Sequence, residues 1–280
     1  MLKIAIQKSD KISRGFLDLL AKCGIKIDET QSRLYYKFLE LPIELYFVRG
    51  LDIPTLLQNK FDVAILGKDS FLEHNLEEIT EIKKDLNFAK CRLSFAGRSN
   101  DIATIVDLNN KKIATSYTNI LSEVLRKNNV NAKIIEMNGS VESAIELQIA
   151  DVIFDIIQTG STLIQHGLRE YFKEMDLEAV FIAKKNFQSE ILDELLFRIH
   201  AVISGSDSKY IMFNLEKSRI NEIIAILPSQ KSPTILELAN KNYCAMHTLC
   251  SKKEIWQTAK NLQKLGAEDI IVSDVNLRFI

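Results

Sequence analysis

The stretch of this chain best suited to chemistry is an apolar run followed directly by a small, hydroxyl-rich turn. Residues 151–157 read Asp-Val-Ile-Phe-Asp-Ile-Ile, and Gln158-Thr159-Gly160-Ser161-Thr162 follow them. Residues 151, 153 and 155 of a β-strand share one face, so the carboxylates of Asp151 and Asp155 are predicted to point the same way. A buried strand rarely carries two unpaired carboxylates on one face, which favours a site.

The turn has the composition of an anion cradle. Backbone N–H groups at such a turn, and in the first turn of a following helix, bind anions. Thr159, Ser161 and Thr162 add hydroxyl donors, and Gly160 lets a phosphate approach the backbone. Carboxylates beside a phosphate suit a phosphorylated sugar, because they accept hydrogen bonds from ribose hydroxyls or hold a metal on the same ligand. The alternative is an ordinary buried strand, a turn, and a helix capped by Thr159 or Ser161.

Alternating strand and helix patterns surround this stretch and predict an α/β fold. One group of patterns covers residues 1–90, and a second group covers 91–177 and contains the turn. A strand pattern within about 178–186 is predicted to return the chain to the first group. Two such lobes joined by crossing strands form a cleft, as in periplasmic-binding-protein-like folds. Near the turn the patterns predict strands at 91–96, 112–115, 133–137 and 151–157, and helices at 119–128 and 141–148.

The pattern changes in the last third of the chain. A long amphipathic helix at 191–203 is followed by elements in the order βαββαβ, which is the ferredoxin-like unit. Residues 187–280 contain no cluster of catalytic residue types, so a binding or regulatory role is predicted for this domain.

Composition narrows the class of protein. The chain has 280 residues with a formal net charge of −1, so no global basic field recruits nucleic acid. The four cysteines form no C-x-x-C pair and the four histidines are scattered, which disfavours a structural zinc site. No apolar run is long enough for a signal peptide or a membrane span. We therefore expect a cytoplasmic protein that binds no membrane.

The stretch around the turn resembles the signature of the ATP phosphoribosyltransferase family, which performs the first step of histidine biosynthesis. That family carries a glutamate, a small residue, an aspartate and a Thr-Gly-x-Thr-Leu loop. The matching residues here are Glu142, Ala150, Asp155 and Thr159-Gly160-Ser161-Thr162-Leu163. Further similar segments follow in order along essentially the whole chain, at 4–9, 49–54, 62–67, 91–94, 113–117 and 138–142.

The resemblance implies that adenine N1 of ATP displaces pyrophosphate from C1 of phosphoribosyl pyrophosphate, with Mg²⁺ as cofactor. It implies that the turn holds the sugar phosphate and that Asp155, Glu142 and Asp151 are the catalytic carboxylates. The residues implied for ATP are Lys8, Lys11, Arg49, Gly67, Arg92 and Tyr117. Structural alternatives stay open for several of them: a lone lysine is usually a solvated charge, Arg92 can extend from a strand end to solvent, and Tyr117 can be a core-edge residue.

The C-terminal domain resembles the histidine-sensing domain of the long form of this family. The resemblance implies feedback inhibition by histidine through Asn214, Thr234 and Val272, and a homo-oligomer between dimer and hexamer.

The chain departs from the family pattern at several positions near the expected substrates, although none removes an essential chemical group by itself. These positions are Asp10, Lys11, Gly50, Gln148, where the family has a glycine, and Gln158. The alternative function is therefore a non-catalytic, two-lobed ligand-binding paralogue that keeps the fold and the histidine sensing without turnover.

Overall fold

The computed structural model describes residues 1–26, 35–38, 40–227 and 233–280. The chain divides into two compact units, Met1–Leu192 and Asp193–Ile280. The strands are β1 (Leu2–Gln7), β2 (Tyr35–Lys37), β3 (Ile43–Val48), β4 (Val63–Gly67), β5 (Thr80–Asp85), β6 (Cys91–Gly97), β7 (Lys112–Thr115), β8 (Lys133–Glu136), β9 (Val152–Ile157), β10 (Arg169–Leu177), β11 (Ala179–Lys184), β12 (Ser208–Glu216), β13 (Thr234–Glu237), β14 (Tyr243–Ser251) and β15 (Glu268–Asp274).

The helices are α1 (Asp10–Lys22), α2 (Ile53–Asn59), α3 (Lys68–Glu73), α4 (Thr118–Lys127), α5 (Ser143–Glu146), α6 (Ser161–Gln165), α7 (Glu190–Ser206), α8 (Ile220–Ile226) and α9 (Ile255–Lys264). In the part of the chain that the structure describes, no helix is long and apolar enough to cross a membrane.

The first sheet of the first unit places its strands in the order β2-β3-β1-β4-β11-β5. β1 runs parallel to β3 and to β4, so the carboxyl ends of these three strands meet at one edge. β11, which comes much later in the sequence, pairs antiparallel with both β4 and β5. The sheet therefore contains a strand that follows the whole second sheet in sequence.

The second sheet has the strand order β10-β6-β9-β7-β8, with β9 in its interior. One face carries Phe95 and Phe154, whose ring centroids lie 4.5 Å apart in a core closed by α4. The other face carries Ile153 and Ile157, which pack with Leu163 of α6. An interior strand with both faces covered explains the near-continuous apolar sequence of β9.

Two local features differ from the sequence patterns in this region. β10 is a nine-residue strand with no predicted counterpart, because its exposed edge position tolerates the charged sequence Arg-Glu-Tyr-Phe-Lys-Glu-Met-Asp-Leu. α5 spans only Ser143–Glu146 rather than 141–148, since Gln148 adopts φ +57° and ends the helical path.

A buried carboxylate links α3, which follows β4 of the first sheet, to α4 beside the second sheet. Glu73 accepts hydrogen bonds from the amide nitrogens of Asn119 at 3.0 Å and Ile120 at 3.1 Å, and from the Thr118 hydroxyl at 3.3 Å. The Asn119 side-chain amide donates back to the Glu73 carbonyl oxygen at 2.8 Å. A carboxylate thus satisfies the open N–H groups at the start of α4, where the helix dipole favours negative charge.

The second unit has the antiparallel strand order β13-β14-β12-β15, which is the ferredoxin-like arrangement predicted from the sequence. Ile211, Phe213, Leu215 and Met246 point to the face closed by α8 and α9. The C-terminal tail crosses α7 at Gly205, where an added Cβ would lie 2.7 Å from the Asn276 carbonyl oxygen.

We predict that Glu73→Ala lowers the free energy of unfolding of the first unit by about 2 kcal/mol, because two helix-terminal N–H groups and a hydroxyl lose a charged acceptor. Urea unfolding followed by circular dichroism measures this, since the single tryptophan, Trp256, lies in the second unit. Glu123→Ala is the matched control, because Glu123 is an exposed glutamate on α4 that forms an ion pair with Lys127 at 2.7 Å. Equal stability of the Glu73→Ala variant and the wild type would contradict the capping role.

Candidate functional site

A pocket of about 300 Å³ opens where β9 ends and α6 begins. It is lined by Glu142, Ile153, Asp155 and residues 156–163. One cavity is therefore bordered by two acidic residues, Asp155 and Glu142, and by the hydroxyl-rich turn. Its volume is at the lower end of the range for small-molecule sites.

The turn has the backbone that its sequence requires. Gly160 adopts φ +80°, a left-handed conformation that favours glycine, immediately before α6. The Thr159 and Ser161 hydroxyl oxygens lie 3.0 Å apart, and the Ser161 amide donates to the Thr159 hydroxyl oxygen at 3.4 Å. The first-turn N–H groups of α6 have no intrahelical acceptors. The turn thus presents amide and hydroxyl donors together beside the cavity, as an anion site requires.

Asp155 is held in an environment that disfavours its charge. Burial raises the pKa of its carboxyl to about 6, and the nearby carboxylates of Glu142 and Asp69 act in the same direction. The Ile156 amide donates to Asp155 Oδ1 at 2.7 Å and partly offsets this rise. Because few hydrogen-bond donors contact this carboxylate, its oxygens are available to accept hydrogen bonds from a ligand.

The structure does not bring Asp151 to this pocket. Asp151 precedes the first residue of β9 and is exposed, and its Oδ2 accepts from the Lys112 amide at 2.8 Å. Asp151 does not line the cavity that Asp155 borders, so the described residues do not bring the two carboxylates to one site, and the catalytic role expected of Asp151 stays a prediction. Asp151 instead ties the starts of β7 and β9 together.

Arg92 contacts the turn from the neighbouring strand. Its Nε and Nη2 donate to the two oxygens of Glu170 at 2.6 and 2.5 Å, and its Nη1 donates to the Gln158 carbonyl oxygen at 3.1 Å. The Ser94 hydroxyl donates to Glu170 Oε1 at 2.8 Å. Hydrogen bonds with Arg92 lower the pKa of the Glu170 carboxyl, and Glu170 raises the pKa of Arg92.

The other basic residues implied for ATP lie at the ends of two strands of the first sheet and in α1. Lys8 and Arg49 are exposed and follow the adjacent parallel strands β1 and β3, and the Lys8 amide donates to the Val48 carbonyl oxygen at 2.7 Å. Lys11, exposed in the first turn of α1, donates through Nζ to Oε1 of Gln158. Two positions that depart from the family pattern, Lys11 and Gln158, therefore contact each other.

Gly67 and Tyr117 come together around a residue that sequence reasoning missed, Asp69. An added Cβ on Gly67 would lie 2.1 Å from Asp69 Oδ1, so a larger residue at position 67 would displace this carboxylate. The Gly67 amide donates to Gln7 Oε1 at 2.9 Å, and the Tyr117 hydroxyl donates to Asp69 Oδ2 at 3.4 Å. The available signal was an acidic residue two positions after the glycine that ends a buried strand.

Burial dominates the titration of this cluster. It raises the pKa of Asp69, and the backbone amides of Asp69 and Ser70 oppose the rise. It also raises the pKa of Tyr117, to which the carboxylates of Asp69 and Asp155 add. Burial and Asp69 raise the pKa of the Cys91 thiol to about 11, so Cys91 is not a thiolate nucleophile at neutral pH.

In the second unit the three residues implied for histidine do not share a face. Thr234 lies opposite His247 and Asn214 opposite Ala245, and both pairs are on the face away from the helices. Val272 lies opposite the buried Ile211 and belongs to the helix-covered face. Asn214 Nδ2 donates to Asp269 Oδ2 at 3.3 Å.

Comparisons with known proteins show which family this chain is similar to. A family model described as ATP phosphoribosyltransferase matches residues 49–201, and one described as HisG, C-terminal domain matches residues 206–277. The ATP phosphoribosyltransferase of Bacteroides thetaiotaomicron is 42% identical over 277 residues, which cover 97% of each chain. That of Bacteroides fragilis strain ATCC 25285 is 39% identical over the full length of both chains.

A solved structure shows the same fold over most of the chain. The ATP phosphoribosyl transferase (HisG:HisZ) complex from Thermotoga maritima aligns with a TM-score of 0.58 and 24% identity, covering 71% of this chain and 98% of that one.

The raised pKa of Asp155 makes a pH-dependent prediction. Asp155 binds its proton more tightly in the folded state than an unfolded aspartate of pKa 3.8 does. Protonation of Asp155 therefore stabilises the fold fully below about pH 4. This contribution is lost as the pH rises through about 6. Asp155→Asn should match the wild type near pH 4 and be more stable by on the order of 2 kcal/mol at pH 7.

Urea unfolding at the two pH values measures the difference. Asp18→Asn, at an exposed position on α1, is the control and should show no such gain. An Asp155→Asn variant that is equally or less stable at pH 7 would show that this carboxyl is not held in an unfavourable environment.

Proposed function

This chain belongs to the ATP phosphoribosyltransferase family, and from that premise we propose that it joins adenine N1 of ATP to C1 of phosphoribosyl pyrophosphate and releases pyrophosphate. The observation that carries the proposal is that Asp155 and the Thr159–Thr162 turn line the same pocket. The reaction is the first step of histidine biosynthesis. No observation favours the alternative of a non-catalytic ligand-binding paralogue.

The turn is proposed to hold the 5-phosphate of the sugar. The donors are the backbone amides around Gly160 and the hydroxyls of Thr159, Ser161 and Thr162. The Thr159 and Ser161 hydroxyls now hydrogen-bond each other, and a phosphate oxygen between them would replace that contact with charge-assisted bonds. Binding therefore exchanges a weaker contact for stronger ones.

Asp155, with Glu142 beside it, is proposed to accept hydrogen bonds from the ribose hydroxyls. The transition state of the transfer carries positive charge on the ribose as pyrophosphate leaves. A carboxylate held at this position stabilises that charge, and its partial burial strengthens the interaction. Adenine N1 is already a free nucleophile, so the chain needs no general base at this step. Its principal work is to place two anionic substrates in line.

The polyphosphate chain of ATP requires cations. Lys8, Lys11 and Arg49 are exposed near the carboxyl edge of the first sheet and are proposed to supply them. Gly67 is proposed to allow close approach of the nucleotide to the backbone at the end of β4. Tyr117 is proposed to flank the adenine with its ring, while its hydroxyl donates to Asp69.

The two acidic residues of the pocket, Asp155 and Glu142, fit a magnesium ion that arrives bound to the substrate. Within the described ranges, no group of three or more His, Cys, Asp or Glu side chains is arranged to hold a metal ion. Asp155 and Glu142 therefore offer carboxylate oxygens to an ion whose other ligands are phosphates and water, as Mg²⁺ prefers. When bound, Mg²⁺ neutralises the leaving pyrophosphate.

The chain organisation that serves this function remains our proposal. We propose that residues 1–90, completed by 178–186, and residues 91–177 are the two catalytic lobes, and that residues 187–280 are a regulatory domain. We further propose that the protein acts in the cytoplasm as a homo-oligomer between dimer and hexamer.

We predict that purified protein mixed with ATP, phosphoribosyl pyrophosphate and Mg²⁺ shows rising absorbance from the N1-ribosylated adenine together with pyrophosphate release. Asp155→Asn and Thr162→Val should each lower kcat/KM by about a hundredfold or more, because each removes an interaction with the sugar phosphate.

The matched controls are Asp18→Asn and Thr55→Val, which change exposed residues on α1 and α2. They should retain wild-type turnover. Wild-type kinetics in both site variants would refute the site, and absence of turnover in the folded wild type would refute the enzymatic function.

We also predict that histidine binds the intact protein and inhibits it. Asn214 and Thr234 share the open face of the sheet in the second unit, so Asn214→Ala should weaken binding measured by calorimetry. Gln257→Ala, an exposed amide on α9, is the control that should bind normally. If no heat of histidine binding is detected with the wild type, the regulatory proposal fails while the catalytic one stands.

A further inference from the structure

A layer of polar side chains crosses three neighbouring strands on the pocket face of the second sheet. Arg92 and Ser94 alternate along β6, so they point to one face, and Ser94 lies directly opposite Asp155 of β9. Glu170 reaches the same face from β10 on the other side of β6. The order across the sheet is Glu170, then Arg92 with Ser94, then Asp155 and the turn.

Glu170 fixes Arg92 in a single orientation. The guanidinium meets both carboxylate oxygens, at 2.6 and 2.5 Å, which is the bidentate arrangement that orients the guanidinium plane. Ser94, which is fully buried, holds the same carboxylate by donating to Oε1 at 2.8 Å. A long and otherwise adaptable arginine side chain is thereby held by contacts on two strands.

The held arginine in turn fixes the first peptide of the turn. Arg92 Nη1 donates to the Gln158 carbonyl oxygen at 3.1 Å. In a planar trans peptide the carbonyl oxygen and the next N–H point in opposite directions. By orienting the Gln158 carbonyl toward β6, Arg92 therefore orients the Thr159 N–H away from β6. Thr159 is a pocket residue, so this peptide is part of the anion cradle.

The charge on Arg92 is already matched. Hydrogen bonding to Glu170 lowers the pKa of that carboxyl and raises the pKa of Arg92, so both groups are ionised across the physiological range. Three guanidinium N–H groups are engaged by Glu170 and Gln158. An arginine whose charge is paired and whose N–H groups are engaged in this way is suited to holding the backbone rather than to binding a triphosphate.

We propose that Glu170 is a positioning residue for the phosphoribosyl substrate: it holds Arg92 so that Arg92 sets the Gln158–Thr159 peptide of the phosphate turn. This inference rests on the proposed function of the turn. It assigns Arg92 to the sugar-phosphate side of the site, in place of the ATP-binding role that the family resemblance implies.

The test is Glu170→Gln, which keeps the size of the side chain and removes its charge. The KM for phosphoribosyl pyrophosphate should rise by about tenfold or more, since small displacements of a binding group have large effects, while the KM for ATP should stay within about twofold. Arg92→Met should show the same split. The double variant should be no worse than the poorer single variant, because both changes remove one unit.

The controls separate positioning from a general loss of structure. Glu123→Gln removes the charge of another glutamate in an ion pair, with Lys127 on α4, and should leave both KM values unchanged. Glu170→Asp retains the carboxylate and should recover part of the affinity lost in Glu170→Gln. Thermal midpoints of all variants show whether a change in KM follows a change in folding.

Calorimetry with ribose 5-phosphate separates this inference from the proposed function. Weaker ribose 5-phosphate binding in Glu170→Gln supports the inference even if the wild type shows no turnover, in which case only the enzymatic function falls. Turnover with an unchanged KM for phosphoribosyl pyrophosphate in Glu170→Gln overturns the inference alone. An equal rise in both KM values, or a rise in Arg92→Met confined to ATP, also overturns it.

Discussion

A half-buried carboxylate on an interior strand is the constraint around which the second sheet is organised. Asp155 follows three buried apolar residues of β9, and burial raises its pKa to about 6. Such a group is costly unless something compensates it. Among the described residues, the Ile156 amide donates a hydrogen bond to it. The cavity, the left-handed φ of Gly160 and the donors of the turn lie beside this carboxylate. In the function that we propose, a bound sugar phosphate would supply hydrogen bonds that the protein does not, so that stability is given up here in favour of binding.

The supports of the site come from elements on both sides of it. On one side Glu170 and Ser94 hold Arg92 against the start of the turn. On the other, α3 and α4 are joined at two places, through Asp69 with Tyr117 and through Glu73 with the first turn of α4. These contacts are made by side chains with little freedom to move, because they are partly or fully buried. The candidate site is therefore built on elements that side-chain contacts hold in place.

Sequence reasoning succeeded where periodicity and local motifs carry the information. β9, α4 and the βαββαβ order of the second unit follow from apolar spacing, and the turn at Gly160 follows from its composition. It failed at β10, whose charged edge sequence has no strand pattern. It also expected Asp151 beside Asp155 at one site, whereas Asp151 accepts a hydrogen bond from the Lys112 amide and does not line the pocket. The Arg92–Glu170 pair joins residues 78 positions apart, and no local pattern could reveal it. Gln148 shows the converse: its left-handed φ of +57° is a conformation that suits glycine, the residue that the family resemblance implies at that position.

The order of strands in the first sheet bears on how the chain is made. β11 is inserted between β4 and β5, and β5 pairs with β11 alone among the described strands. During synthesis, the ribosome must therefore release residue 184 before this sheet can close. The second sheet lies wholly within the intervening segment and can fold while the first still exposes an open edge at β4. A nascent chain that stalls before residue 179 would present that edge to other chains.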